Sequence, residues 1–299
     1  MQHLESAIGK KNEWWRYLLM FFSIFVVSNV VIAIPLLFLL GSAAGVDSSG
    51  RVLQETVDKN VFLLFMLIPF VVSLLLFVWL VKPFHGQTFK AVINGRNSIR
   101  WRRFFYAFAV WAVIMATYLI IDISINSDNF TLNFSLNKFL PLVLIAVLLI
   151  PFQTTFEEVM FRGYLAQGVG VWTKSRIWVI LIPSFLFGMM HVMNPEVEEY
   201  GFWLTMPQYI LMGVAFGLVT VLDDGIEVSM GAHAANNIFL SIFLTFKGSA
   251  LDTPALFVQK EIDPQKDLIA LVIFLALFVF VLSKKYKWDF KVLLAPVRK

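Results

Sequence analysis

Apolar residues do not alternate along this chain; they come in long runs parted by short polar connections. A helix that crosses a bilayer needs roughly 20 mostly apolar residues, far more than the 4–8 of a buried strand. The runs predict eight spans, at about 17–40, 61–81, 104–121, 139–153, 177–193, 203–222, 230–246 and 268–283. The first is too long for a signal-peptide core and no small-residue cleavage site follows it closely, so it reads as an uncleaved span. The first three and the last are almost purely apolar, whereas the middle four carry charges, His, Gly and Pro. The expected fold is an all-α, polytopic membrane protein. Residues 1–103 hold two spans and a basic connection, residues 104–299 a six-helix core, and both form one membrane domain.

Composition agrees. Hydrophobic residues make up 59% of the 299 and charged ones 15%, against about 25% charged in soluble domains. That excludes a soluble globular protein, a coiled coil, a disordered chain and a disulfide scaffold. There is no Cys, hence no thiol nucleophile or thiolate metal site. Charge then sets the orientation. The connection between the second and third spans carries Lys82, Lys90, Arg96, Arg100, Arg102 and Arg103 and no acid, and the C-terminal tail carries Lys284, Lys285, Lys287, Lys291, Arg298 and Lys299 against Asp289. With both stretches and both termini in the cytoplasm, 18 of the 24 Lys and Arg lie inside and 6 outside, the bias of the positive-inside rule. Asp47, Glu55, Asp58, Asp122, Asp128, Glu196, Glu198, Glu199, Asp252, Glu261, Asp263 and Asp267 then lie outside. The net charge of +4 reflects topology and anionic headgroups, not nucleic-acid binding. Residues 82–103 read either as an interfacial amphipathic helix or as a solvated positive loop.

Ionisable residues inside spans cost about 2.5–3.5 kcal/mol each on insertion scales and are functional candidates by default. Three clusters stand out. In Phe156-Glu157-Glu158-Val159-Met160-Phe161-Arg162-Gly163, Glu158 and Arg162 are four apart and share a helix face, while Glu157 is turned about 100° away. One acid is neutralised and the other left free, which is how two carboxylates yield a usable general base; an ordinary salt bridge at a helix end is the plainer reading. In Phe187-Gly188-Met189-Met190-His191 a histidine ends an apolar run, which more often means packing than catalysis. In His233-Ala234-Ala235-Asn236-Asn237, His233 and Asn237 project to one side past small residues; interhelical hydrogen bonding explains that equally well.

Spacing links the clusters. Lys174 is 17 residues from both Glu157 and His191. An antiparallel hairpin turning near Lys174 brings the two level, provided the fourth helix runs on past Arg162 towards Gly170. His233 starts a span from the inside, so the inner half of the bilayer collects all three. Asn194-Pro195 should end the fifth helix. The acidic segment 194–201 has no assigned role. Asp223, Asp224 and Glu227 read as a solvated inner loop, Asp122 lacks a plausible partner for an aspartyl-type catalytic pair, and Gly213 and Gly217 form a small-x-x-x-small pair suited to helix packing more than to dimerisation. No His-Glu-x-x-His, Gly-x-Ser-Gly or Gly-x-Gly-Asp motif of other intramembrane proteases occurs.

Glu-Glu-x-x-x-Arg, Phe-x-x-x-His and His-x-x-x-Asn, in this order on successive membrane helices, resemble the CPBP (Abi) family of CAAX-type prenyl endopeptidases and bacteriocin-processing intramembrane proteases. The likeness covers roughly 156–237. It implies an intramembrane (metallo)protease that hydrolyses peptide bonds of membrane-associated or lipidated substrates. On the family pattern Glu157 and His191 hold and deprotonate a water, and His233 and Asn237 face the oxyanion. Glu158, Arg162, Phe187 and Asn236 support them. The resemblance leaves the metal open: Zn²⁺ on Glu157, His191 and His233, or a metal-free Glu/His mechanism with the same residues. The implied partners are a peptide or membrane-protein substrate and the lipid bilayer, without nucleic acid, in what looks like a prokaryotic cell membrane. A carrier, or a silent immunity or scaffold protein, using the same polar residues for binding is the competing reading; neither an inverted repeat nor paired broken helices support a carrier.

Overall fold

Long apolar runs become long helices because lipid offers the backbone no hydrogen bonds, so each spanning segment must satisfy its own. The computed structural model describes residues 2–41 and 57–298, with the side chains of 29 and 31–41 left aside; the expected outside positions of Asp47 and Glu55 fall outside the described residues. The helices are α1 (Trp14–Gly41), α2 (Lys59–His85), α3 (Phe89–Asn94), α4 (Trp101–Ile125), α5 (Leu136–Glu158), α6 (Ala166–Thr173), α7 (Arg176–Met189), α8 (Pro195–Tyr200), α9 (Phe202–Asp223), α10 (Glu227–Phe243) and α11 (Pro264–Tyr286). A π-helical stretch, Val159–Leu165, joins α5 to α6 into one rod of 38 residues.

The all-α membrane architecture holds, with uneven spans. Among the described residues, α2, α4, the α5–α6 rod, α9 and α11 are long and apolar enough to cross a membrane, and Trp14–Ser28 of α1 and α7 are shorter apolar helices. The seventh expected span is α10, which packs on α4, α5 and α9 and has most of its side chains buried. A helix enclosed by protein need be neither long nor uniformly apolar. It closes on α4 at Gly231, where a Cβ would sit 2.1 Å from the Phe104 carbonyl oxygen. Gly213 and Gly217 of α9 are packing glycines against Ser184 and Ile180 of α7. The hairpin turns at Lys174, which adopts a left-handed φ of 57°.

Three features depart from the sequence reading. Residues 244–246 leave the helix as β2 and join β1 (Phe130–Leu132) and β3 (Phe257–Gln259) in a small sheet, with β3 central, antiparallel to β1 and parallel to β2. Asp223, Asp224 and Glu227 are not a solvated loop. The tight turn at Asp224 (φ 55°) folds α10 back, so Arg100 pairs with Glu227 at 2.5 Å and Asp223 at 3.2 Å, Arg96 with Asp224 at 2.8 Å, and Arg103 with Asp223. The connection 82–103 is therefore neither one continuous amphipathic helix nor a free loop: α3 buries Val92, Ile93 and Asn94 in the bundle, and the arginines after it close the end. The N-terminal segment locks onto the same place, its Gln2 and His3 N–H groups donating to Asp224. His3 is buried with its Nε2 on the Val92 carbonyl, and burial pushes its ring down to about 4.

Candidate active site

The rod changes pitch just after its two adjacent acids. A π-helical turn holds one more residue than an α turn and recurs at functional sites. Here it begins at Val159, directly after Glu158. Glu158 is fully buried and accepts from Arg162 Nη1 at 3.0 Å and His233 Nδ1 at 2.8 Å. The Arg162 guanidinium lies 4.1 Å over the Phe187 ring and 5.7 Å from Phe216, a dry cation–π seat.

Glu157 has another environment. Its Oε1 accepts from Gln153 Nε2 at 2.8 Å. Its Oε2 is buried without a hydrogen-bond partner and stands 3.5 Å from His233 Nε2, too long for a full-strength bond. His233 thus lies between the two carboxylates, Nδ1 on one and Nε2 facing the other. Gln153 also accepts from Asn237 Nδ2 at 3.1 Å, Asn236 Nδ2 donates to Asn237 Oδ1 at 3.0 Å, and Trp111 Nε1 donates to Asn236 Oδ1 at 3.2 Å. Asn236, off the four-residue spacing, is tied in through its neighbour.

His191 sits past the end of α7, on the turn before Asn194. Its Nδ1 is 2.7 Å from the Phe187 carbonyl oxygen. A carbonyl only accepts, so Nδ1 carries the proton and Nε2 keeps its lone pair. The ring stacks on Tyr209, centroids 4.3 Å apart and planes 22° apart. His191 makes no hydrogen bond to Glu157 or His233, although both lie near enough to act on it electrostatically. The Tyr209 hydroxyl in turn meets the 194–201 segment: Asn194 Nδ2 donates to it at 2.9 Å, and it donates to Glu196 Oε2 at 3.3 Å. Glu196 Oε1 accepts from the Ala250 N–H at 2.6 Å. Burial raises the Glu196 carboxyl above its ordinary value, against the lowering effect of these bonds.

The structure therefore brings Glu157, Glu158, Arg162, Phe187 and His233 into contact, joins Asn237 and Asn236 through Gln153, and leaves His191 beside the group. Gln153, Tyr209, Trp111 and Phe216 were not singled out from sequence. Gln153 had a signal, a polar residue in an apolar run one turn before Glu157; the three aromatics had none.

Comparison with known proteins decides the family. The family model for type II CAAX prenyl endopeptidases, Rce1-like, matches residues 136–239. The chain is 31% identical over 272 residues to the uncharacterized protein YyaK of Bacillus subtilis (strain 168), covering 88% of this chain and 89% of that one. This chain belongs to the Rce1-like family. No solved structure matches it significantly. The site residues from Gln153 to Asn237 lie inside the Rce1-like match, and Trp111 and Ala250 lie outside it. The family makes the protein a CAAX-type membrane protease acting on peptides. A metal fits this Rce1-like site poorly. His191, His233 and Glu157 are the expected ligands, yet among the described residues no three His, Asp or Glu side chains are grouped to hold an ion, where a tetrahedral Zn²⁺ needs donors at about 2.0–2.2 Å.

Proposed function

We propose that this protein is an intramembrane endopeptidase whose Glu157 activates the attacking water. The observation that carries the reading is the pairing of a buried, unpartnered Glu157 Oε2 with an adjacent Glu158 neutralised by Arg162. Two neighbouring carboxylates are split into a fixed anion and a working base. A water bound between Glu157 Oε2 and His191 Nε2 loses a proton to Glu157 as its oxygen attacks the scissile carbonyl. Negative charge then builds on the carbonyl oxygen, and His233 Nε2–H and the second Asn237 amide hydrogen stabilise it. Glu158, bonded to His233 Nδ1, fixes that ring and its orientation. Glu157 returns the proton to the departing amine.

Arg162 and Phe187 act by holding Glu158 and the His191 backbone contact in place, and Asn236 by orienting Asn237. The substrate is a membrane-embedded or lipidated peptide, since apolar helices surround the site. Residue 157 lies about 30 Å along the rod from residue 136 at 1.5 Å per residue. With the basic ends of the bundle in the cytoplasm, that depth supports a site in the inner half of the membrane.

The test compares membrane peptides from cells carrying the native chain and Glu157→Gln. A cleaved peptide present only with the native residue supports the reading; identical peptide sets would sink it. Prenylated and unmodified versions of that peptide, offered to purified protein, separate lipid-dependent from lipid-independent recognition. Because the chain has no Cys, single cysteines placed at 90 and 260 report orientation through a membrane-impermeant thiol reagent; labelling of position 90 from outside would reverse it.

A further inference from the structure

His191 is the one proposed active-site side chain that no helix carries. Glu157, Glu158, Asn237 and His233 ride on the α5–α6 rod and on α10, whose backbones are held turn by turn. His191 lies on the turn between α7 and α8, tied at the backbone by its own N–H to the Gly188 carbonyl and by Asn194 N–H to its carbonyl. A ring on such a turn has rotamers to choose from. Its single side-chain bond, Nδ1–H to Phe187, leaves the plane free to swing about that contact.

The other constraint is a stacked aromatic face from a separate helix. Tyr209 of α9 lies almost parallel to the His191 ring at 4.3 Å, a geometry favoured between aromatic faces. Tyr209 is itself pinned at its far end by Asn194 and Glu196. Glu196 is anchored in turn to the Ala250 N–H, in the connection that follows β2 and hence α10. One contact chain therefore runs from the His191 ring through Tyr209 and Glu196 to the loop beyond the helix of His233 and Asn237. It also gives the acidic 194–201 segment a use: Asn194 and Glu196 clamp the aromatic that clamps the histidine.

We infer that Tyr209, held by Asn194 and Glu196, is the positioning residue that fixes the His191 ring, keeping its proton on Nδ1 and its Nε2 lone pair turned to the site. The inference rests on the proposed role of His191, but its first readout does not need hydrolysis. The chain has 4 His, so full-length protein labelled with ring-¹⁵N histidine, in lipid nanodiscs, gives four resolvable ring patterns, with His191 assigned by His191→Gln.

The native His191 pattern should be that of a single Nδ1–H tautomer. Tyr209→Leu removes the face, and the pattern should move to an average of both tautomers while those of His3, His85 and His233 stay in place. Tyr209→Phe keeps the face but loses the clamp, and should broaden the His191 signals without changing the tautomer. Rescue by Phe separates positioning from simple cavity filling. On the peptide found by the Glu157 comparison, Tyr209→Leu should lower kcat by about 10- to 100-fold, the scale of an ångström-level misplacement, with KM little changed. A His191 pattern in Tyr209→Leu identical to the native one overturns the inference, and so does a loss confined to KM. Absence of any cleavable peptide overturns the proposed function alone, because the nuclear resonance result stands without it.

Discussion

At one end of the bundle Asp223, Asp224 and Glu227 meet Arg96, Arg100 and Arg103; along the rod Glu157 and Glu158 meet Arg162 and His233. Both clusters bury acids beside arginines, and both are drawn from distant parts of the chain. The first balances three acids with three fixed cations. The second sets two acids against one fixed cation and one imidazole, whose charge depends on a proton. Balance of the first kind holds helices together and needs no shared proton to complete it. Balance of the second kind is completed only by a movable proton, which is what acid–base chemistry requires.

Paired substitutions break this comparison most sharply. Glu157→Gln should lower hydrolysis by about 10²- to 10⁴-fold, the range of a positioned general base, with the unfolding temperature in detergent unchanged. Glu227→Gln should do the reverse, lowering the unfolding temperature by leaving Arg100 short of its partner, with hydrolysis per folded molecule preserved. Equal effects of the two variants on activity would erase the distinction. Next in size, Arg162→Met strands a buried Glu158 charge and should cost about 3–5 kcal/mol, the range for one half of a buried pair. Adding Glu158→Gln should restore most of that stability but not cleavage. Arg103→Met, at a side chain 29% exposed, should cost about 1 kcal/mol or less. Chemical denaturation of the variants in one detergent reads all three.

The balanced cluster also carries a pH prediction through the docked N-terminus. His3 titrates at about 4 when folded against 6.5 when unfolded. The unfolded chain therefore binds a proton that the folded one refuses, and stability falls as pH drops from 6.5 towards 4. The loss should reach about 3 kcal/mol at most. His3→Gln should flatten that part of the profile, seen as a smaller drop in unfolding temperature between pH 7 and pH 4.5. The smallest effect is expected at the rim of the site. Asn236→Ala unpairs the Trp111 indole N–H and should cost about 1 kcal/mol with a modest fall in turnover. Asn237→Ala, which removes a proposed oxyanion donor, should cost more turnover than stability.

Much of the site was legible because its motifs are local. Glu158 and Arg162 lie one turn apart, and the equal spacing about Lys174 is enough to bring Glu157 and His191 near one another. Gln153 could have been read the same way, since it shares a face with Glu157. Tyr209 could not, because 18 residues and a change of helix separate it from His191 and nothing in the local pattern marks one tyrosine among several. The arginines of 96–103 misled for a related reason: a basic run beside a span reads as solvated until the acids that meet it, some 120 residues on, are placed. The small sheet was hidden too, because each strand is three residues long and draws its stability from partners far along the chain.

What the sequence alone determined was the solvent of this protein and the family it belongs to, with the residues proposed for its chemistry. Bilayer thickness and the cost of unpaired backbone in lipid turn runs of apolar residues into helices, and ionisable groups inside them mark the site. What only the tertiary structure decided was which charges cancel and which do not. That depends on distances between helices, set by close approaches such as that of Gly231 to Phe104, and no spacing along a single helix encodes them.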